Sequence, residues 1–356
     1  MTGGRRPLPS CGIRTVSSVL DNTTAAVSAV HQQIGSGGWQ HIVVLFSLQH
    51  DPTSVCLEIE RRFPGVNYTG CSTSGEIGTD GMSDSGIVVI AFPKSGFTIA
   101  SEIVHGVSHR PMERTANTVR SLRNALSTTK PDTRQSQRSD HIFGLMLVDG
   151  LSNVEEMLVT AIGWAMGDLK LIGGSSGDRL RFHQTVLIHN GAVVSDAAIL
   201  LLVDSEHAFQ TFKTQSFEPT DAKLVVTKAD PEQRVVYELN AEPAALEYAR
   251  LLGRPPGSLD TAACASHPLV ITAQEEHFCR SIRTVNDDHS LTFLCAIDEG
   301  LVLTLSRQRN VITATNQAFS QLQQQLGGLE LVIGFDCVLR RLDAENRQVR
   351  HVLERT

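Results

Sequence analysis

Two short segments rich in glycine and hydroxyl groups are the parts of this sequence best suited to hold a ligand. They are the first loop, Gly70–Glu76 (GCSTSGE), and the second loop, Gly173–Asp178 (GGSSGD). Glycine lets the backbone approach a ligand closely, and several N–H groups and hydroxyls together can bind a carboxylate or phosphate. The alternative is that these glycines serve tight turns and close strand packing. The residues predicted to contact a ligand are Gly70, Cys71, Ser72, Ser74, Gly173, Gly174, Ser175 and Ser176.

The second loop also matches the nucleophile-elbow pattern G-x-S-x-G, which would make Ser175 a catalytic nucleophile. That elbow requires a helix directly after the serine, whereas the residues from Phe182 onward have the pattern of a strand. A hydrolase is therefore the least favoured alternative. Neither loop is a Walker A motif, because Gly-Lys-Ser/Thr does not follow.

Histidine and arginine supply the other candidate ligand contacts. Among 13 histidines, His183 and His277 each lie near the start of a predicted half-buried strand, and they are the candidate axial ligands of a haem. His189 is predicted to be a turn residue. Arg280 follows His277 in the same strand and could pair with a propionate or another ligand carboxylate. For each of these residues, a purely structural role is the alternative.

The seven cysteines are scattered and none forms a C-x-x-C pair, so free thiols in a reducing cytoplasm are expected. Clustered Cys/His spacing typical of zinc is also missing from the sequence. Cys71, within the first loop, is the cysteine most suited to a function. Cys295 and Cys337 lie in segments predicted as apolar strands and are expected to be core residues.

The two loops end two copies of one pattern. His41 and His141 each open an apolar strand, followed by an acidic helix, a second strand and a loop. Such internal similarity indicates a duplicated α/β unit. We predict copies at 41–105 and 141–215, with strand 97–105 equivalent to strand 209–215. Asn190-Gly191 marks a hairpin in the second copy.

The predicted organisation is a loose N-terminus at 1–20, an N-terminal domain at 21–216 and a C-terminal domain at 217–356. Residues 127–140, which lack large apolar side chains, are predicted to link the two copies. The C-terminal domain has alternating antiparallel strands, including a long strand at 329–341. The predicted fold class is α/β with a mixed α+β C-terminal part.

Composition narrows the class of function. The net charge is −7, and the chain has only three tyrosines and two tryptophans, which argues against a nucleic-acid binder. No apolar run is long enough to span a bilayer, and the first residues lack the apolar core of a signal peptide. A cytoplasmic protein without nucleic-acid or membrane partners is expected.

The sequence resembles the FIST proteins, which combine an N-terminal and a C-terminal FIST domain. In the N-terminal part the resemblance rests on GCSTSGEI, GIVVIAF, GGSSGD and the F-x-x-T-x-x-x-H-N-G run at 182–191. In the C-terminal part it rests on RSIRTVN at 280–286, SLTFLCAIDEGLVLTLSR at 290–307 and GFDCVLRR at 334–341. Together these motifs cover almost the whole chain from about residue 25.

The C-terminal pattern is most similar to the NosP-type branch of stand-alone FIST proteins. This resemblance implies haem b as cofactor, nitric oxide as the sensed ligand, and a histidine kinase or a diguanylate cyclase/phosphodiesterase as partner. A homodimer is an additional arrangement to test. Because FIST domains are regarded as small-ligand sensory modules, a sensor of another small molecule, such as an amino acid, is the alternative. Both imply a protein that is not an enzyme.

Overall fold

The computed structural model describes residues 10–78, 81–129, 139–255, 257–273 and 276–346. It divides the chain into two compact units. The first unit comprises Met1–Phe212 and Gln321–Phe335, and the second comprises Lys213–Ser320 and Asp336–Thr356. The mixed α/β and antiparallel architecture agrees with the predicted fold class.

Strands in the first unit are β1 (Arg14–Ser18), β2 (Trp39–Phe46), β3 (Asn67–Ser72), β4 (Glu76–Gly78), β5 (Gly81–Ser83), β6 (Ile87–Pro93), β7 (Phe97–His105), β8 (Ile142–Val148), β9 (Lys170–Ser175), β10 (Leu187–His189), β11 (Ala192–Val194) and β12 (Ala197–Ser205). Helices there are α1 (Thr23–Ile34), α2 (Pro52–Arg62), α3 (Met112–Thr129) and α4 (Glu155–Met166). Local sequence explains the helix starts. Asp51 caps α2 by accepting the Ser54 N–H at 2.8 Å, with Pro52 at the first helical position.

Two sheets with the same internal order form the centre of this unit. One has the order β1-β6-β2-β3-β10-β11, and the other has the order β7-β12-β8-β9. In both, a parallel pair (β2 with β3, β8 with β9) is flanked by an antiparallel strand, β6 or β12. The matching order shows that the first unit contains an internal duplication.

The boundaries of the two copies differ from the predicted ones. Strand β7 pairs with β12, just as β1 pairs with β6, so 97–105 opens the second copy instead of closing the first. The structural equivalent of β7 is therefore β1. The predicted strand at 209–215 is wrong, because 206–216 has no regular secondary structure. An alternating apolar pattern identified a strand at 97–105, but only pairing decides to which copy it belongs.

Three further predictions can be compared with the structure. Residues 14–18 form β1, so the chain is not loose throughout 1–20. Ser127–Thr129 ends α3 and residues 139–141 form a 3-10 turn, while the rest of the predicted linker, 130–138, lies outside the described residues. The Asn190-Gly191 hairpin is confirmed, with His189 paired to Ala192.

The two sheets stack face to face with helices outside them. Side chains such as Val43 and Ile90 from one sheet and Leu145 and Leu201 from the other share one buried cluster. Alternate residues such as Ile42 point to the opposite face, where α1 and α2 cover the first sheet. Helices α3 and α4 cover the second sheet in the same way. The result is a four-layer helix–sheet–sheet–helix arrangement.

Strands in the second unit are β13 (Phe217–Asp230), β14 (Val235–Leu239), β15 (Glu242–Pro243), β16 (Leu269–Ala273), β17 (Glu276–Arg280), β18 (Ile282–Val285), β19 (Leu291–Phe293) and β20 (Val302–Gln308). Its helices are α5 (Ala244–Leu251), α6 (Thr261–Ser266), the first part of α7 (Val311–Leu326) and α8 (Val338–Asn346). The strand order is β17-β16-β20-β13-β14-β19-β18. Since Ser281 alone separates β17 from β18, the antiparallel sheet is nearly closed around an apolar core.

The predicted long strand at 329–341 is wrong. Residues 331–337 are irregular and helix α8 follows from Val338. Ile333 and Phe335 bury their side chains against the inter-sheet core of the first unit. Their alternation resembles that of a strand, but burial by a core satisfies the same pattern without strand pairing. Gln321–Phe335 therefore belongs to the first unit, although its position in sequence lies within the predicted C-terminal domain.

Candidate functional site

The two glycine loops meet in the first unit. The Gly177 N–H donates to the Ser72 carbonyl at 2.9 Å, and the Arg179 N–H donates to Ser74 Oγ at 3.2 Å. Duplication explains the meeting, because each loop ends the second strand of its own copy. The two segments that we identified from the sequence therefore contact one another in the folded protein.

The polar groups of the first loop are occupied by the protein itself. Cys71 is buried in the inter-sheet core, and burial raises the pKa of its thiol to about 12. Ser72 is fully buried and its Oγ accepts the Val186 N–H at 3.1 Å. Gly70 lies directly against the Val44 carbonyl of the neighbouring strand. These contacts favour the structural alternative for Gly70, Cys71 and Ser72.

In the second loop, the serines are partnered in a similar way. Ser176 is buried and its Oγ accepts the Gly150 N–H at 3.2 Å, whereas exposed Ser175 donates to Glu155 at 3.1 Å. Gly173 lies against the Met146 carbonyl, and Gly174 faces the ring of Phe335. Ser175 ends β9 and no helix follows it directly, so the nucleophile-elbow geometry is not formed.

Each loop ends in a buried carboxylate. Burial raises the pKa of Glu76, which accepts hydrogen bonds from Thr73 and Ser83. For Asp178, burial opposes ionisation, but N–H donors of His183, Phe182 and Gln184 outweigh it and hold its pKa below the ordinary value. This carboxylate holds an irregular segment in which Arg179, Leu180 and Phe182 have positive φ.

The two candidate haem ligands lie in different surroundings. His183 is exposed in that irregular segment, so its predicted position on a half-buried strand is wrong. His277 does lie on a strand, β17, and is partly buried. Its Nδ1 is 3.0 Å from Thr272 Oγ1, which leaves Nε2 available. Of the two imidazoles, only that of His277 is both partly buried and oriented by a side-chain hydrogen bond.

Two histidines that were not among the predicted ligand-binding residues, His41 and His189, point into the inter-sheet layer. His41 is 1% exposed, its Nε2 lies 3.2 Å from Thr69 Oγ1, and burial lowers its pKa to about 3. His189, expected in a turn, is partly buried and bonds Ser101 at 3.0 Å. Burial also lowers the pKa of His189. Strand alternation with apolar Val43 is the signal that could have identified His41 as an inward-facing residue.

Arg280 lies at the end of β17 with an unsatisfied polar atom. Its Nε is buried and has no hydrogen-bond acceptor among the described residues, while its Nη1 donates to the Cys279 carbonyl at 3.1 Å. Glu276 and Phe278 are on the same face of β17 as Arg280. Lys213 covers this face, with its Nζ 4.5 Å from the Phe278 ring centre and 2.9 Å from Glu276. One cation, Lys213, therefore lies over the Phe278 ring, and a second, Arg280, lies on the same face of β17.

His277 and Arg280 do not face one ligand. Their offset of three residues along a strand directs the side chains to opposite faces. The cross-strand partners agree, because His277 is opposite Thr272 whereas Arg280 is opposite the core residue Leu269. The propionate role expected for Arg280 beside a haem on His277 is therefore not supported by this strand geometry.

The outer face of β17 carries a group of thiols. Burial, with a smaller contribution from Cys295 and Cys337, raises the pKa of Cys279 to about 11. Neither Cys295 nor Cys337 lies in a strand: Cys295 follows β19, and Cys337 is an exposed residue directly before α8. Their expected place in apolar strands is wrong. Within the described part of the chain, no three His, Cys, Asp or Glu side chains are grouped so as to hold a metal ion.

Comparison with known proteins identifies both halves of the chain. A model of the FIST N domain matches residues 40–242, and a model of the FIST C domain matches residues 244–355. An uncharacterized protein of Methanocaldococcus jannaschii is 27% identical over 197 residues, which cover 54% of this chain. The match spans only 36% of that relative's length. Every helix in the described ranges is too short or too polar to cross a membrane.

Proposed function

The chain belongs to the FIST family, whose domains are associated with the sensing of small ligands in signalling, and from that premise we propose that it senses a small organic carboxylate at Arg280. The observation that supports this most is the buried Nε of Arg280 without an acceptor. A buried donor without a partner costs about 1–3 kcal/mol, and more when it is charged. A carboxylate would remove that cost through paired N–H···O bonds.

The surroundings of Arg280 define the ligand class. The Phe278 ring, 40% exposed, offers an apolar surface, and Lys213 adds a second positive charge over it. A molecule with one carboxylate and an apolar or aromatic body would contact all three side chains. Amino acids and their keto-acid or aromatic-acid relatives have this chemistry.

Signalling would require the ligand to prefer one of two states. A ligand shifts a conformational equilibrium only by the difference between its affinities for the two states. The partner in this proposal is a histidine kinase or a cyclic-di-GMP enzyme, as the resemblance to stand-alone FIST proteins suggests. A homodimer would be the simplest assembly in which two copies of this chain bind such a partner.

We expect Arg280→Met to separate binding from folding. Methionine keeps much of the side-chain volume and removes the unpaired charge, so the unliganded protein should melt at an equal or higher temperature. Screening the twenty amino acids and simple aromatic acids by thermal shift should identify a stabilising ligand in the parent. The variant should bind it about 10- to 100-fold more weakly, the value of hydrogen bonds to a charged group.

Arg309→Met is the matched control, since Arg309 forms an exposed ion pair with Glu218 in the same unit. It should leave the ligand-induced shift unchanged. The proposal fails if Arg280→Met destabilises the unliganded protein by several degrees while its ligand affinity equals that of the parent. That result would make Arg280 a structural residue.

Haem-based nitric oxide sensing is the second proposal, and His277 is the observation that favours it. Thr272 orients the ring and leaves Nε2 for a ligand, and an oriented imidazole is what metal binding by histidine requires. Haem bound there would supply an iron centre for nitric oxide. Protein produced with haem available should then show a Soret band that shifts when nitric oxide is added to the ferrous form.

Two histidine variants, a test and its matched control, examine this second proposal. His277→Ala should lose the Soret band while far-UV circular dichroism stays native, and His183→Ala should keep the band because His183 is exposed. Colourless parent protein would remove haem and leave the carboxylate sensor. Loss of the band in His183→Ala alone would contradict the assignment of His277.

A further inference from the structure

Among the described strands of the first unit, the second copy has no counterpart of β10. In the first copy, β3 is followed across the sheet by β10, and Cys71 is opposite Leu187. In the second copy, β9 is an edge strand among the described strands. The residue equivalent to Cys71 is Gly174, because Leu45 pairs with Cys71 as Leu147 pairs with Gly174.

Phe335 occupies the place beside Gly174. A Cβ on Gly174 would lie 3.1 Å from Phe335 Cδ1 and 3.5 Å from its Cβ. We call Glu330–Phe335 the strap. At its start, Glu330 accepts hydrogen bonds from Ser10 Oγ and the Cys11 N–H. Towards its end, Ile333 and Phe335 contact the inter-sheet core.

The strap is held by few contacts. It has no regular secondary structure, and both apolar anchors are only partly buried. Segments with few buried apolar contacts and without regular backbone pairing open more readily than strands or helices do. Phe335 therefore covers Gly174 from a segment without strand pairing, whereas Leu187 is held beside Cys71 by the β10–β11 hairpin.

The chain leaves the first unit directly after Phe335. Asp336 begins the second unit and forms an ion pair of 3.1 Å with Arg340 on α8. Arg340 also donates to Thr214 at 2.7 Å. Thr214 is the residue next to Lys213, which covers β17. The anchor of the strap is therefore one residue from a hydrogen-bonded group of the second unit.

We propose that the strap is the coupling element of this protein: release of Phe335 from Gly174 is controlled by the Asp336–Arg340–Thr214 group and uncovers the second loop. The strap then has two positions, one in which Phe335 covers the face of Gly174 and one in which that face is open to solvent. The inference concerns signal transfer and does not depend on the identity of the sensed ligand.

Hydrogen exchange measured by mass spectrometry on the full chain tests the proposal. The reporting peptide spans 170–178 and includes the Ser176 and Gly177 amides, which donate to Val148 and Ser72. Phe335→Ala should speed its exchange at least about fivefold, because the cover is lost. Arg340→Gln, a change in the second unit, should speed exchange of the same peptide while α1 keeps the parent rate.

Two control variants use similar positions. Val332→Ala changes an exposed residue of the strap, and Arg309→Gln breaks an exposed ion pair of the second unit. Both should leave peptide 170–178 at the parent rate. A response to Phe335→Ala without one to Arg340→Gln would make the strap a static anchor and overturn the proposal. Unchanged exchange in both variants, or an equal rise in α1, would overturn it as well.

Discussion

Gly70→Ala is expected to prevent the first unit from folding, with a loss of more than about 3 kcal/mol in the free energy of unfolding. The new Cβ would meet the Val44 carbonyl oxygen of the parallel partner strand, and Ile188 on the other side is only 3.1 Å from it. The Val44 backbone cannot retreat, because β2 is paired on both sides and buried. Gly173→Ala should have a similar effect through the Met146 carbonyl, with the added strain of a φ of +153°.

Gly163→Ala is the matched control for these substitutions. Gly163 lies inside α4, and a Cβ there meets no atom within 4 Å. Alanine should therefore stabilise the protein by up to about 1 kcal/mol through helix propensity. Urea unfolding followed by circular dichroism compares the three variants. Soluble, cooperatively unfolding Gly70→Ala protein of parental stability would contradict the close strand contact.

Acidification is expected to destabilise the first unit through His41. Its pKa is lowered from 6.5 to about 3 in the folded state because burial disfavours the imidazolium. The folded state therefore keeps a neutral ring while the unfolded chain takes up a proton below pH 6.5. The contribution of His41 to the free energy of unfolding is fully present above pH 6.5 and is lost progressively as the pH falls toward 3. Linkage gives a loss of about 3 kcal/mol from this residue by pH 4.

Urea unfolding at pH 7, 5.5 and 4.5 measures this loss in the parent and in His41→Gln. Glutamine can still bond Thr69 but does not titrate, so the variant should lose less stability on acidification than the parent. Partly buried His189, whose pKa is also lowered by burial, should leave a smaller pH dependence in the variant. His183→Gln, at an exposed position, should behave like the parent. An identical pH slope in parent and His41→Gln would exclude His41 as the origin.

These expectations assign the glycines of the two loops a role in strand packing. Gly70 and Gly173 occupy equivalent positions, each against a carbonyl of the adjacent parallel strand. The buried serines and Cys71 also contact protein groups in place of an open cavity. Repetition of the loop therefore matches repetition of a strand-packing requirement, and one of the buried polar atoms without a partner among the described residues lies elsewhere, on Arg280.

Local pattern was sufficient for much of this protein. The Asp51-Pro52 helix start, the Asn190-Gly191 hairpin and the two loops of one design could all be identified from residue type and spacing. Each of these depends on interactions within a few residues: an N-cap hydrogen bond, a turn conformation, or a strand followed by a glycine. The resemblance to FIST domains rests on such local motifs and agrees with the family match.

Pairing, burial and facing were decided only by the tertiary structure. The sequence could assign a strand to 97–105 but not its copy, because strand partners are chosen over the whole sheet. The alternating apolar residues predicted a strand at 329–341. The same alternation also occurs in an irregular segment that buries every second side chain against a core, as Ile333 and Phe335 do. The sequence alone does not distinguish the burial of His41 from that of the other twelve histidines. Its burial results from the stacking of the two sheets. Arg280 could be named from sequence, yet only the folded structure shows that its Nε has no acceptor among the described residues.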